Sequence, residues 1–261
     1  MKTVSMIAGL LLSSVANLAV ADQGIENTLA ATFRVVGQGN SGTGFAVRTP
    51  TGDFLVTAAH FFEGAGNECR LILREVKDED FVRRELVVPL KKDLPLWRKH
   101  SQVDVGIMPI TLPTDVAIKP FELAQLADEN AYKQHQVRVA QEVWIPGFPA
   151  QLEGNEAGWP VLRHGSIASH PLMTTKVVPN FLIDATTFGG DSGAPVVVHP
   201  AASAEKSEGN VPLVVGVLIG MQRQTSKASL EFQEFTNHTP MGLAIIVPSV
   251  FVRELLENPN P

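Results

Sequence analysis

The sequence predicts an all-β protein made of two six-stranded antiparallel β-barrels followed by a short C-terminal helix. Three observations support this prediction. Short apolar or alternating runs recur between turn signals, and no long stretch has helical periodicity. Glycine and proline, 21 and 18 of the 261 residues, are frequent enough for many tight turns. Six strands in succession without a helix are typical of a closed antiparallel barrel.

The first half of the chain supplies six predicted strands. They are Phe33–Val36, Gly44–Val47, Phe54–Thr57, Arg70–Arg74, Glu85–Val88 and Val103–Met108. A polar segment over residues 115–136, interrupted by Pro120, follows the last of them. This segment predicts a boundary between an N-terminal barrel domain over residues 22–120 and a C-terminal one over residues 121–261.

The second half supplies six more predicted strands. They are Val137–Ile145, Pro160–Ser169, Phe181–Ala185, Pro195–His199, Leu213–Ile219 and Gly242–Val247. The polar segment Gln222–His238 has no clear period and is predicted to be a long loop. Residues Ser249–Glu257 have apolar residues at i and i+4, which predicts a helix capped by Ser249.

The N-terminus is typical of a secretory signal peptide. Lys2 is the only charge before Asp22, the stretch from Met6 to Val20 is mostly apolar, and a small residue at each end of Ala19-Val20-Ala21 forms a cleavage site. We expect residues 1–21 to be removed by cleavage after Ala21. The mature protein is then predicted to be secreted or periplasmic, without a stable membrane anchor.

Bulk composition excludes several classes of function. The net charge of −6 gives no general attraction to nucleic acid or to anionic membranes. A single cysteine, Cys69, cannot form an internal disulfide, and we expect it to be a small buried hydrophobe. The histidines show no metal-ligand spacing, so we expect neither a metal nor another cofactor. No pattern in the sequence indicates an oligomeric state.

Three separated motifs carry residues suited to acyl transfer. Thr57-Ala58-Ala59-His60 ends a predicted buried strand, Asp104 is flanked by strand residues, and Ser192 lies in the glycine-rich turn Gly190-Asp191-Ser192-Gly193. A serine hydroxyl needs a neighbouring base to become nucleophilic, and a histidine base needs a carboxylate to fix its tautomer. These residues occur in the order His, Asp, Ser.

The motifs, their order and their separations resemble those of trypsin-like serine proteases of the chymotrypsin fold, in the disulfide-free bacterial branch. The resemblance extends from about Phe33 to the C-terminus. It implies that Ser192 is the nucleophile, that His60 is the general base and then acid, and that Asp104 orients His60. It also implies an oxyanion hole formed by the backbone N–H groups of Gly190 and Ser192, and a protein or peptide substrate.

The resemblance also outlines a specificity pocket. It implies a pocket base at Thr186 and walls that include Thr187, Ile219, Gly220 and Met221. Because none of these is acidic, we expect cleavage after uncharged residues of small to medium size and poor cleavage after lysine or arginine. Cleavage after glutamate is the alternative, since Thr187 occupies a position that helps to bind acidic side chains in glutamate-specific relatives. That alternative needs a basic group, such as His238, to reach the pocket.

Two questions remain open at this level. In trypsin-like zymogens the residue corresponding to Asp191 pairs with a newly formed N-terminal amine, but the present sequence has no recognisable activation site, so the partner of Asp191 is undetermined. A non-catalytic exported binding protein on the same fold, and a serine esterase using the same three residues, are the alternatives to a protease.

Overall fold

The structure, a computed structural model, describes residues 23–90, 96–172, 179–199, 211–230 and 233–258, with the side chains of 228–235 outside this description. The predicted signal peptide therefore lies outside the described residues. Within the described ranges, no helix is both long enough and apolar enough to cross a membrane.

The first half of the chain forms one eight-stranded sheet. A helix, α1, covers residues 23–31 and leads into the strands. These are β1 (Thr32–Val36), β2 (Ser41–Thr49), β3 (Gly52–Thr57), β4 (Glu68–Lys77), β5 (Asp80–Pro89), β6 (Arg98–Lys99), β7 (Gly106–Ile110) and β8 (Phe121–Glu122). Their order is β5-β4-β1-β2-β3-β7-β6, and β8 pairs in parallel with β2. Each of the six predicted strands overlaps one of these, whereas the two-residue strands β6 and β8 are too short to show a sequence pattern.

The second half forms a closed six-stranded barrel. Helix α2 (Ala59–Gly64) lies between β3 and β4 in the first half, and helix α3 (Glu129–Gln134) lies between the first sheet and the barrel. The barrel strands are β9 (Glu142–Gly147), β10 (Val161–Ile167), β11 (Phe181–Asp184), β12 (Pro195–Val198), β13 (Leu213–Leu230) and β14 (Gln233–Pro248). They close in the order β10-β11-β14-β13-β12-β9. The predicted all-β class, the six-stranded C-terminal barrel and the terminal helix are confirmed, and the first half, predicted as another six-stranded barrel, forms the eight-stranded sheet described above.

The terminal helix α4 (Ser249–Glu257) has the predicted bounds but a different N-terminus. Pro248 occupies the N-cap position, and no side chain caps the helix. Ser249 is the first helical residue, and its buried hydroxyl donates to the carbonyl of Ala127 at 2.7 Å. The prediction that Ser249 caps α4 is wrong, because its hydroxyl instead ties the helix to the segment before α3.

The predicted loop over Gln222–His238 is also wrong, because β13 and β14 continue as a paired hairpin beyond the barrel. Their register runs from Gly216 opposite Pro248 to Leu230 opposite Gln233, with irregularities before Gly220 and before Arg223. The described side chains from 222 to 227 are all exposed. With both faces in water, the ribbon has no apolar alternation, and periodicity therefore gave no strand signal.

A shared apolar core joins the two halves. Phe45 and Val56 of the first sheet belong to one buried cluster with Val214 and Val217 of the barrel. Phe251 of α4 lies in the same cluster. Burial of such side chains is worth roughly 1.5–3 kcal/mol each, so this cluster holds the ends of both sheets in fixed positions.

Cys69 is fully buried in β4, and burial raises the pKa of its thiol to about 12. Thiol reductants should therefore leave the melting temperature and the activity unchanged, and a thiol-reactive dye should label Cys69 only as the protein unfolds. Calorimetry with and without reductant, and dye uptake along a urea titration, measure both effects. Rapid labelling under native conditions would contradict the buried position of Cys69.

Candidate active site

His60 and Asp104 are brought together by the pairing of β3 with β7. His60 lies in the first turn of α2, directly after β3, and Asp104 lies in the bend before β7, where Thr57 is opposite Gly106. Nδ1 of His60 is 2.6 Å from Oδ2 of Asp104. The other carboxylate oxygen, Oδ1, accepts the backbone N–H of His60 at 2.9 Å. These two hydrogen bonds between His60 and the Asp104 carboxylate fix the orientation of the ring. Nε2 is then the ring nitrogen available to accept a proton.

The hydrogen bond that His60 donates to Asp104 raises the pKa of His60 above its ordinary value of 6.5, against the opposing effect of burial. The general-base role predicted for His60 requires a neutral ring, so that role is lost as the pH falls through this raised pKa. We expect kcat/KM for peptide hydrolysis to reach half its plateau above pH 6.5. A pH–rate profile measures the half-point.

The matching variant, Asp104→Asn, removes the charge that stabilises protonated His60. Its half-point should move to lower pH while the plateau falls by roughly 10⁴-fold, because the asparagine also favours the wrong tautomer. A half-point below pH 6.5 in the parent enzyme, or one unmoved in the variant, would contradict the role given to the carboxylate.

Ser192 lies in a tight turn between β11 and β12 that makes hydrogen bonds to both halves of the chain. Its carbonyl accepts the N–H of Thr43 from β2 at 2.9 Å, and the N–H of Gly193 donates to Leu218 at 2.7 Å. The Ser192 hydroxyl donates to the carbonyl of Ile219 over a long 3.4 Å. Among the described residues Ser192 makes no hydrogen bond to His60, but both side chains line one cleft of about 420 Å³.

Two glycines of this turn cannot be replaced without moving the backbone. Gly190 has φ +102°, and an added Cβ would lie 2.4 Å from the carbonyl oxygen of Phe148. Gly193 has φ +94°, and its Cβ would lie 2.0 Å from the carbonyl oxygen of Thr43. Only glycine adopts this backbone at such close approach, which explains the glycines on both sides of Asp191-Ser192.

The amide groups of Gly190 and Ser192 are free to bind a ligand. Within the part of the chain that the structure describes, neither N–H donates to a protein acceptor. The carbonyl of Gly189 accepts the N–H of Ala150 at 2.7 Å. Because the C=O and N–H of a trans peptide point in opposite directions, this bond turns the Gly190 N–H away from Ala150. The side chain of Gln151, next to Ala150, accepts a 2.7 Å bond from Arg34 of β1.

Asp191 has a partner that the sequence did not reveal. The carboxylate is fully buried and pairs with Arg163 of β10, with Nη2 2.5 Å from Oδ1. It also accepts the N–H of Phe188 at 2.7 Å. Burial raises the pKa of Asp191, and the Arg163 charge opposes that rise. The guanidinium of Arg163 is therefore the partner of Asp191, in place of the new N-terminal amine found in trypsin-like zymogens. No motif around Arg163 indicated this pairing.

The residues predicted to form the specificity pocket occupy two different places. Four of them line the cleft beside His60 and Ser192, namely Thr187, Ile219, Gly220 and Met221. Thr186 is not among the lining residues, and its carbonyl accepts a bond from Arg163 at 2.6 Å. The predicted pocket base is therefore drawn toward the buried ion pair.

Arg223 also lines the cleft and was not predicted to do so. Arg223 lies on β13, in the segment for which the sequence predicted a long loop. His238, the basic group considered instead, is bonded to Thr225 on the exposed hairpin at 3.0 Å and is not among the lining residues. Among the described residues, no group of three or more potential ligands could hold a metal ion.

Known proteins share this sequence pattern and fold. The sequence matches the trypsin-like peptidase domain over residues 42–200, more than half of the chain. A variant of the HtrA-type protease AlgW with a tripeptide has a similar structure, with a TM-score of 0.54 and 14% identity over 90% of this chain. The present chain spans 61% of that AlgW chain.

Two further solved structures are similar over nearly their whole length. Rv3671c from M. tuberculosis H37Rv, in an inactive form, has a TM-score of 0.50 and 18% identity, with coverage of 92% of this chain and 91% of that one. HBP at atomic resolution has a TM-score of 0.51 and 15% identity, with coverage of 90% and 95%. At these identities the likeness concerns the fold alone. No curated protein matches the sequence.

Proposed function

The chain belongs to the trypsin-like peptidase family, and on that premise we propose that it is a serine endopeptidase acting through Ser192, His60 and Asp104. One observation carries the proposal: His60, held by Asp104, lines the same cleft as Ser192. That juxtaposition supplies a nucleophile, a base and a carboxylate from three distant parts of the sequence.

Activation of the nucleophile begins with the hydroxyl of Ser192. Its bond to the carbonyl of Ile219 is long, so rotation about χ1 frees the hydroxyl at little cost. Because Nδ1 of His60 is engaged by Asp104, Nε2 accepts the proton as the oxygen attacks the scissile carbonyl. Catalytic hydrogen bonds of this kind often reach their final length only in the complex with substrate.

The developing oxyanion is stabilised by the two free amides, those of Gly190 and Ser192. Such donors act strongly because they are oriented before the charge appears, and each is worth about 10²–10³ in kcat. Protonated His60 then donates to the leaving amine, and the acyl group remains on Ser192. Water, deprotonated by the same histidine, hydrolyses the acyl-enzyme and restores the hydroxyl.

We further propose that the enzyme acts outside the cytoplasm after removal of residues 1–21 and that its partners are protein or peptide substrates. The Arg163–Asp191 pair supports activity without a second cleavage, because the aspartate already has a cation. A processed N-terminus at or near Asp22 on active, exported protein is the expected result of N-terminal sequencing.

The test separates the protease from its two alternatives. The purified protein is incubated with an unfolded protein in ¹⁸O-labelled water, and the products are analysed by mass spectrometry beside a simple acetate ester. We expect internal cleavage with ¹⁸O in each new C-terminal carboxyl group. Ester turnover without peptide cleavage would indicate an esterase, and tight binding without turnover would indicate a binding protein.

A further inference from the structure

Among the described residues, the cleft next to Ser192 is lined by one permanent charge, and that charge is positive. Of the described residues that line the cleft, only His60 and Arg223 are ionisable, and none is acidic. His60 must be neutral to act as a base, so Arg223 alone determines the charge that a substrate side chain meets in the cleft.

Arg223 is not neutralised by the described part of the protein. Among the described side chains, no carboxylate lies within salt-bridge distance of it, and its guanidinium makes no hydrogen bond. Other arginines are held closely: Arg48 pairs with Asp53 at 2.9 Å, and Arg84 pairs with Asp115 at 2.8 Å. Five donors of one guanidinium are therefore available to a ligand at the cleft.

The position of Arg223 suits a side chain next to the reacting carbonyl. Arg223 follows Ile219 by four residues on β13, and the Ile219 carbonyl contacts the Ser192 hydroxyl. Four residues of strand span about 13 Å at most, and across that separation Arg223 lines the same cleft as Ser192. A cleft of about 420 Å³ is at the small end for ligand sites and has room for a single substrate side chain.

We propose that Arg223 makes this cleft select substrates with an acidic residue, glutamate above all, immediately before the cleaved bond. The inference rests on the serine endopeptidase function proposed above. A carboxylate matches the planar fork of the guanidinium with two parallel hydrogen bonds, which glutamine and the aliphatic residues cannot do. Thr187, which also lines the cleft, carries a hydroxyl that can donate to the same carboxylate.

This inference departs from the cleavage after uncharged residues that the sequence favoured. The apolar side chains of Ile219 and Met221 do line the cleft, as that expectation required. They can pack against the methylenes of glutamate as well as against an aliphatic side chain, so they do not decide between the two. The charge decides, because only glutamate offers a carboxylate to the guanidinium, whereas lysine and arginine would meet a like charge.

The experiment compares peptides that differ only at the residue before the cut, with glutamate and glutamine as the isosteric pair and leucine and lysine as further members. We expect kcat/KM to favour glutamate over glutamine by about tenfold or more at low salt, with lysine the poorest substrate. The preference should shrink with added salt, because the guanidinium is exposed. Because His60 titrates in the same way with both peptides, its protonation cancels in the ratio of their kcat/KM values.

Two variants assign the preference to Arg223. In Arg223→Ala the glutamate-to-glutamine ratio should fall towards one, and in Arg223→Glu the preference should invert towards lysine. Arg138→Ala is the matched control, since Arg138 is exposed, is not among the cleft-lining residues and changes the net charge equally. It should keep the parental ratio. Circular dichroism verifies the fold of each variant.

Active-site titration with a phosphonate separates the two possible failures. Titratable enzyme that cleaves glutamine or leucine peptides as well as glutamate peptides would overturn the inference and leave the proposed function intact. A glutamate preference that persists in Arg223→Ala would likewise overturn it. Protein that neither titrates nor cleaves any member of the series would overturn the proposed function, and the inference with it.

Discussion

Replacing Ser192 by alanine is expected to lower kcat for peptide hydrolysis by roughly 10⁶-fold while the protein remains folded. Of the described residues that line the cleft beside His60, only Ser192 and Thr187 carry a hydroxyl, and the substitution removes the first. It costs little stability, because the Ser192 hydroxyl makes one long bond to a carbonyl and its backbone contacts are kept. Progress curves with a fluorogenic peptide and a thermal melt measure both quantities.

The matched control for this substitution is Ser101→Ala, which removes an exposed hydroxyl in the bend before Asp104. It should retain parental kcat and melting temperature. His60→Ala should be about as inactive as Ser192→Ala, and the double variant should be no worse than either, because residues that act as one unit do not contribute additively. Near-parental turnover by either single variant would remove these residues from the mechanism.

Replacing Arg163 by methionine is expected to lower both stability and activity. It leaves the Asp191 carboxylate buried with only the Phe188 N–H as a partner. Breaking one side of a buried ion pair typically costs about 3–5 kcal/mol. Because Asp191 lies between Gly190 and Ser192, the turn that orients both amides should distort, and we expect kcat/KM to fall by about 10²-fold or more. Urea titrations and peptide kinetics measure the two losses.

The pH dependence of this variant identifies the cause. Burial already raises the pKa of Asp191, and loss of the Arg163 charge should raise it further. A carboxyl group with a raised pKa in the folded state binds a proton more readily there than in the unfolded chain. The folded state is therefore favoured as the pH falls, and the stability deficit of Arg163→Met should shrink towards acidic pH.

Two further variants complete the comparison. The double variant Arg163→Met, Asp191→Asn removes the unpaired charge and should recover part of the lost stability. Arg48→Met breaks a pair in which the arginine side chain is 53% exposed, and it should cost at most about 1 kcal/mol. A similar small loss for Arg163→Met would show that the buried pair does not support the Ser192 turn.

The sequence predicted the fold class because each half repeats short buried strands. Alternation and apolar runs are local signals, and they located all twelve major strands at least in part. The hairpin arm beyond the barrel gave no such signal, since both of its faces are exposed. Helix α2 was missed for a different reason: its six residues, from Ala59 to Gly64, are too few to show a helical period.

The candidate site was predictable only where residues fall in motifs. His60 and Ser192 lie in short patterns tied to backbone geometry, such as the glycine turn whose positive φ angles the structure requires. Arg163 and Arg223 lie in no motif, because their roles depend on partners that only the folded chain brings near. Long side chains reach across strands, so their targets leave no trace in neighbouring sequence. The catalytic and pocket assignments stay predictions.

The site of reaction with a fluorophosphonate shows whether Ser192 is the activated nucleophile. Such a reagent phosphonylates a serine only when a neighbouring base activates it, so the label reports the Ser192–His60 relationship itself. Tryptic peptides of the labelled protein, read by mass spectrometry, should carry one adduct per chain on Ser192, and His60→Ala should abolish it. Labelling of a different residue, or an unlabelled Ser192 in protein that cleaves peptides, would contradict the account.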